Sequence, residues 1–356
     1  MSADTLTEPP GEAIAARIDA AGAITLHDYM ALANAHYYAA RDPLGTAGDF
    51  ITAPEISQMF GEMIGLWCAD LWARAGRPER IAYVELGPGR GTLAADALRA
   101  MAQAGLRPDV HFVETSPLLR EAQMRAVPGA RFHDSVATLP PDAALLIVAN
   151  EFFDALPIRQ IQRTDGGWRE RVLTNDRLER GSRFLPALAE EPATVPAAFA
   201  GAPQGGIVEL CPVGADIMRD VATRIAARGG AMLTIDYGYE GPAVGDTFQA
   251  VQAHRFADPF LDPGARDLTA HVDFIQLADA AREAGCTPSP VVEQGAFLLR
   301  LGIGARAAAL AKARPDRQAE LAAALRRLTQ ADEMGRLFKV MAVVHPDWPS
   351  PEGCAR

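Results

Sequence analysis

The run Tyr83-Val84-Glu85-Leu86-Gly87-Pro88-Gly89-Arg90-Gly91-Thr92 sets three glycines at alternate positions, with a carboxylate two residues ahead of the first. Glycine has no Cβ, so a turn built from it lets the backbone close on a ligand. A dinucleotide pyrophosphate favours the spacing GxGxxG. Here the third glycine comes one residue early, and Glu85 would repel an anion. An acid in that place suits a cationic amino-acid group; the alternative is a tight structural turn. Glu114 closes a second apolar segment, where a carboxylate can accept the two hydroxyls of a ribose. His133-Asp134-Ser135 closes a third; Asp134 and Ser135 fit either the edge of an adenine or a helix N-cap. A fourth segment ends in Asn150-Glu151-Phe152-Phe153-Asp154-Ala155-Leu156-Pro157. Glu151 and Asp154 stand three apart and can jointly face a guanidinium fork. Phe152 and Phe153 read as pocket wall or as core. Asp236, after Leu233-Thr234-Ile235, is a further pocket candidate or a turn residue.

These residues need a scaffold that brings segment ends together. Ile81 to Leu86, Val110 to Glu114, Ala130 to His133 and Ala143 to Ala149 read as strands, the last apolar enough to be buried on both faces. Helices fit about Thr92 to Gln103 and Leu118 to Ala126 between them. Strands alternating with helices predict a parallel α/β sheet. Residues 155 to 205 break the alternation, with hairpin material at Trp168 to Thr174 and an irregular Pro186 to Gln204, and read as an insertion after the fourth strand. Alternation resumes with Ile207 to Cys211, a helix over Ala215 to Ala227 and a strand over Ala231 to Asp236. Residues 239 to 270 read as one long loop, a kind that is usually functional. A helix over Val272 to Ala284 follows, then strand candidates at Ala296 to Arg300 and Phe338 to Val344. Ahead of the sheet, residues 11 to 40 and 54 to 75 read as helical, with Pro54 and Glu55 suited to a first turn. The loop Arg41 to Thr52 lies between them. The expected organisation is an N-terminal helical segment over residues 1–79, a sheet domain over 80–154 and 206–356, and an inserted segment over 155–205.

Composition narrows the function classes. The 356 residues carry 34 Lys+Arg against 45 Asp+Glu, a net charge of −11, which disfavours a general nucleic-acid binder. No apolar run approaches the roughly 18 residues of a membrane span. The four cysteines are far apart and form no CxxC pair, so neither a zinc ribbon nor a disulfide framework is expected. The histidines lack metal-ligand partners, and no metal is expected. The N-terminus has no apolar core of a secretory signal, and a cytoplasmic location is the expectation. A monomer and a homodimer are both compatible with the sequence.

The spacing ExGxGxG resembles class I S-adenosylmethionine methyltransferases. Five runs make the resemblance specific: Gly48-Asp49-Phe50-Ile51-Thr52-Ala53-Pro54-Glu55-Ile56-Ser57, Val84 to Thr92, Asn150 to Pro157, Asp236-Tyr237-Gly238, and Asp267-Leu268-Thr269-Ala270-His271-Val272-Asp273-Phe274. In this order they resemble the MidA family of methyltransferases, over about residues 30 to 345. The resemblance implies a Rossmann-like S-adenosylmethionine domain and protein arginine methylation giving symmetric dimethylarginine. For the family's mitochondrial member it implies the quinone-site subunit of complex I as substrate. It implies that Glu85, Gly87, Pro88, Gly89 and Gly91 hold the methionine end, Glu114 the ribose, and Asp134 and Ser135 the adenine, with Thr115 also in the cofactor-binding set. Thr52 and Asn150 join that cofactor set. Asp49, Thr52 and Glu55 line the cleft, and Glu151, Asp154, Asp49 and Asp236 form the catalytic set. The family segment reads GDFITSPEIS, and this chain has Ala53 in place of its serine. Two other readings stay open: a nicotinamide-dependent oxidoreductase on the same fold, and a non-catalytic assembly factor that keeps the cofactor pocket.

Overall fold

The computed structural model describes residues 10–40, 52–175, 183–252 and 255–355. The chain forms two compact units. One, an α/β unit, collects Ile51–Phe152, Ile217–Gly238 and Leu277–Arg356; the other, rich in β-structure, collects Met1–Phe50, Phe153–Asp216 and Tyr239–Gln276. This division differs from the one expected. Residues 155–205 do not stand alone: the N-terminal helices and most of residues 239–270 pack into the same unit.

The α/β unit is built on strands β1 (Ile81–Leu86), β2 (Asp109–Val113), β3 (Arg131–His133), β4 (Ala144–Asn150), β5 (Gly230–Tyr239) and β6 (Phe338–Val344). They lie in the order β6-β5-β4-β1-β2-β3, with β1 to β5 parallel and β6 antiparallel to β5. Every residue of β1 and β4 is buried, as central parallel strands require. The chain leaves β1 towards β2 on one side, while β4 pairs on the other. This reversal is the place where open α/β sheets bind ligands, at the carboxyl ends of the strands. The fold class is the Rossmann-like α/β sheet that the alternation predicts.

Helix Thr92–Gln103 turns Leu93, Ala94, Ala97, Ala100 and Met101 inward, at helical spacing. Helix Gln58–Arg74 packs against it very closely. A Cβ at Gly65 would sit 2.3 Å from the Ala97 carbonyl oxygen, so only glycine permits this approach.

The β-rich unit opens with helices Pro10–Ala21 and Leu26–Ala40. Its larger sheet runs Ile24–Thr25, Gly167–Asn175, Arg159–Thr164 and Ile207–Leu210, with Phe184–Pro192 paired to Gly167–Asn175. A smaller sheet joins Arg255–Ala257, Gln249–Gln252 and Asp267–Thr269. Ile14, Ile18, Tyr29, Met30, Leu173, Phe184 and Leu268 form its core. Three local expectations are corrected here. Part of the segment read as irregular, Pro186 to Gln204, is strand. The 239–270 segment contains strands rather than one long loop. Ala296–Arg300, read as a strand, lies in helix Gln294–Arg300, whose apolar face is buried; a short apolar run does not distinguish the two.

Candidate functional site

Strand register aligns the singled-out residues along one edge of the sheet. Leu86 pairs with Val113 and with Ala149, Val113 pairs with His133, and Ile235 with Asn150. The next residue of each strand therefore falls in one row at the carboxyl edge, in the order Asp134, Glu114, Gly87, Asn150. Gly87, Gly89 and Gly91 have φ of 62°, 55° and 81°, left-handed values that side chains disfavour. The Gly87 amide donates to the Val113 carbonyl at 3.0 Å and the Gly91 amide to the Pro88 carbonyl at 2.8 Å, which closes the loop onto β2.

Glu85 is only 3% exposed and faces no cationic side chain among the described residues. The Tyr83 hydroxyl donates to its Oε2 at 3.0 Å. Burial pushes its carboxyl up to about 8, against a small opposing effect of that hydrogen bond.

Glu114 is fixed from three sides. Its Oε1 accepts the Ser116 amide at 2.7 Å, and its Oε2 accepts Gln123 Nε2 at 3.0 Å. The same Gln123 nitrogen donates to the Gly89 carbonyl at 2.7 Å, tying the acid to the glycine loop. Burial raises the Glu114 carboxyl, and these donors partly offset it. Arg120 Nε donates to the Glu114 carbonyl at 2.8 Å, and its Nη2 reaches Asp134 Oδ1 at 2.6 Å, joining the ends of β2 and β3. The Asp134 side chain is 84% exposed, and Ser135 is exposed beside it. Thr115 is exposed and contributes through its backbone amide to Glu114.

Beyond β4 the backbone turns sharply. Glu151 has a φ of 51°, a left-handed value for a side-chain-bearing residue, which costs energy and marks a position held by its surroundings. Its amide donates to the Ile235 carbonyl at 2.9 Å. The next amide, of Phe152, donates to Asp236 Oδ2 at 3.2 Å, and Asp236 Oδ1 accepts the Tyr237 amide at 3.0 Å. Asp236 is fully buried and spends its carboxylate on this turn. Glu151 Oε1 accepts the Ala53 amide at 3.3 Å and Asn150 Nδ2 at 3.2 Å. Glu55, in the short helix Ala53–Ile56, takes the Thr92 hydroxyl on Oε1 at 2.6 Å. Thr52, half-buried, precedes that helix as its N-cap residue and accepts the Glu55 amide on its carbonyl at 3.0 Å.

The expected pairing of acids divides between the two units. Glu151 belongs to the α/β unit, whereas Asp154 belongs to the β-rich unit and is buried there. The Ala270 amide donates to the Asp154 carbonyl at 3.0 Å. Asn34 brackets the same region, donating to the carbonyls of Ala155 and Leu268 at 2.9 and 2.8 Å. Tyr38 donates to Asp267 Oδ1 at 2.9 Å, and burial together with the charges of Asp267 and Asp154 drives its phenol far up. Asp49 lies outside the described residues.

Sequence reasoning missed Gln123, Arg120, Asn34 and Tyr38. Gln123 carries a faint signal, a polar residue on the inward stripe of a helix whose other buried position is Leu119. The others act through the tertiary fold.

The chain matches, over residues 63–292, the family model described as "Putative S-adenosyl-L-methionine-dependent methyltransferase". It is 37% identical over 364 residues to the protein arginine methyltransferase NDUFAF7, mitochondrial, of Xenopus laevis, a match that covers 92% of this chain and 82% of that one. The Danio rerio protein of the same name is 35% identical, with coverage of 93% and 86%. A crystal structure from Burkholderia thailandensis, bound to S-adenosyl-homocysteine, superposes with a TM-score of 0.83 at 27% identity, covering 99% of this chain and 96% of that one.

Proposed function

The chain belongs to a family of S-adenosyl-L-methionine-dependent methyltransferases, and from that membership we propose that it methylates a guanidinium nitrogen of an arginine in a partner protein. Its cofactor is S-adenosyl-L-methionine. The residues at the carboxyl edge fit that group. A left-handed glycine loop leaves its backbone open to a ligand, and a Cβ at Gly87 would meet the Phe152 ring at 3.0 Å. The buried Glu85 lacks a cation, and the cofactor tail carries one. Glu114 is held in one pose by Ser116 and Gln123, and a carboxylate with about four acceptor sites keeps room for a diol. Asp134 and Ser135 stand at the end of the row, where the adenine would lie.

The cofactor supplies a methyl group on a sulfonium, which needs only an aligned lone pair to be displaced. The protein's part is therefore alignment and the removal of water. Glu151 supports the arginine reading best. It is a carboxylate in a strained, fully bonded turn, one strand away from the glycine loop and on the side opposite Glu114. It would orient the guanidinium and take the proton that the nitrogen releases as the N–C bond forms and the S–C electron pair stays on sulfur. Asp236 acts as a positioning residue, because it holds the Phe152 amide.

The relatives named as protein arginine methyltransferases carry this proposal. The quinone-site subunit of respiratory complex I is the first substrate to try, with symmetric dimethylarginine as the product. The test incubates the protein with methyl-labelled cofactor and cell extract, then hydrolyses the labelled bands. Label in dimethylarginine is expected; label in lysine, nucleic acid or a small molecule would overturn the assignment.

A further inference from the structure

The row at the carboxyl edge contains one group with an unmet need. Asn150 ends β4 and is only 9% exposed. Its side-chain nitrogen donates to Glu151 Oε1. That bond fixes the amide, since turning it over would set two oxygens against each other. Its Oδ1 is buried and accepts no hydrogen bond from any described residue. A buried acceptor left without a donor is destabilising, so the donor is expected to arrive with a ligand.

The position in the row identifies that ligand. From Gly87 the sheet continues through Glu114 to Asp134 on one side, which is the direction the sugar and base would take. Asn150 lies on the other side of the loop, between β1 and β5. The tail ammonium has the uncompensated Glu85 to face. A guanidinium has five N–H donors in a plane and no acceptor. Asn150 Oδ1 and the Glu151 carboxylate, linked by their own hydrogen bond, are adjacent acceptors of the kind such a fork needs.

We propose that the Asn150 side-chain carbonyl accepts a hydrogen bond from the substrate nitrogen that receives the methyl group, and that it is a substrate residue rather than one of the cofactor set. The proposal rests on the arginine reading above and adds a contact to it. Asn150 fixes one N–H of the planar group, so that the nitrogen lone pair, perpendicular to that plane, points at the methyl carbon.

The test measures binding, with two main probes and, as a control, an amine-bearing counterpart of the second. One is S-adenosyl-homocysteine. The other is an analogue of it that carries a guanidinoalkyl chain on the position of the transferred methyl. In the wild type the guanidinium should improve affinity at least about tenfold over S-adenosyl-homocysteine. Asn150→Ala should remove most of that gain and leave the S-adenosyl-homocysteine affinity within about threefold. Asn150→Leu, closer in volume, serves if the alanine variant does not fold. A large loss of S-adenosyl-homocysteine affinity in Asn150→Ala would return the residue to the cofactor set and overturn the proposal. So would an unchanged guanidinium gain, or no gain in the wild type from either the guanidinium or a matching amine analogue. If only the amine analogue gains in the wild type, the arginine reading fails, and loss of that gain in Asn150→Ala still supports the Asn150 contact.

Discussion

Two buried carboxylates in the α/β unit have opposite surroundings. Glu62, among the helices, is 7% exposed and is gripped by Arg306 through two hydrogen bonds of 2.8 Å, by Gln58 at 3.0 Å and by Arg99 at 3.5 Å. Burial would raise its carboxyl, but the Arg306 guanidinium and the other donors outweigh this and hold it below the usual range. Glu85, at the carboxyl edge, is as deeply buried, receives the Tyr83 hydroxyl, and is pushed up to about 8. For Glu62 the chain itself supplies the cation. Where the cation is left out, it is expected from a ligand.

The comparison can be broken in several ways. Gly87→Val should have the largest effect. It puts a β-branched side chain at a φ of 62°, against Phe152, and should weaken S-adenosyl-homocysteine binding at least about 100-fold by calorimetry. Unchanged affinity in a folded variant would remove the glycine loop from the site. Glu62→Ala should cost about 2–3 kcal/mol in denaturant unfolding, below the ~3–5 kcal/mol of a fully buried pair because the Arg306 side chain is 36% exposed. Cofactor affinity should stay put. A loss of affinity without loss of stability would invert the contrast.

Glu85→Gln should do the reverse. Its folded carboxyl lies above its ordinary value of 4.5, so the folded state binds more protons than the unfolded one between 4.5 and about 8. Stability without cofactor should therefore fall across that window as pH rises. The glutamine variant should lose this slope while binding S-adenosyl-homocysteine roughly tenfold more weakly. A wild-type melting temperature with the same pH slope as the variant would show that Glu85 is not the group titrating. The smallest effect is assigned to Gln123→Leu. It frees Glu114 and the Gly89 carbonyl from each other and should weaken the cofactor by a few-fold, about 1 kcal/mol, with little change in turnover once cofactor is saturating. A slowed turnover at saturation would place Gln123 in the chemistry instead.

Much of the α/β unit was legible because its signals are local. β4 is a run of seven buried residues, and the glycine loop needs its left-handed angles whatever surrounds it. Glu114 was legible as a residue at a strand end, whereas Asp236, read as the end of its strand, lies inside β5, which continues to Tyr239. The partners of Glu114 were not legible, since Gln123 and Arg120 reach it from a helix that sequence places only by periodicity. The β-rich unit was the least legible. Its members come from three separated stretches of chain that only tertiary pairing unites. Asp154 falls in this unit, which resumes at Phe153, while Glu151 falls in the other, which runs to Phe152.

The most direct test is a crystal structure with S-adenosyl-homocysteine bound. The account predicts the ribose hydroxyls on the Glu114 carboxylate and the amino group of the tail over the glycine loop, towards Glu85. A nucleoside seated against β5, or a crevice closed by Phe152 with the ligand elsewhere, would contradict it.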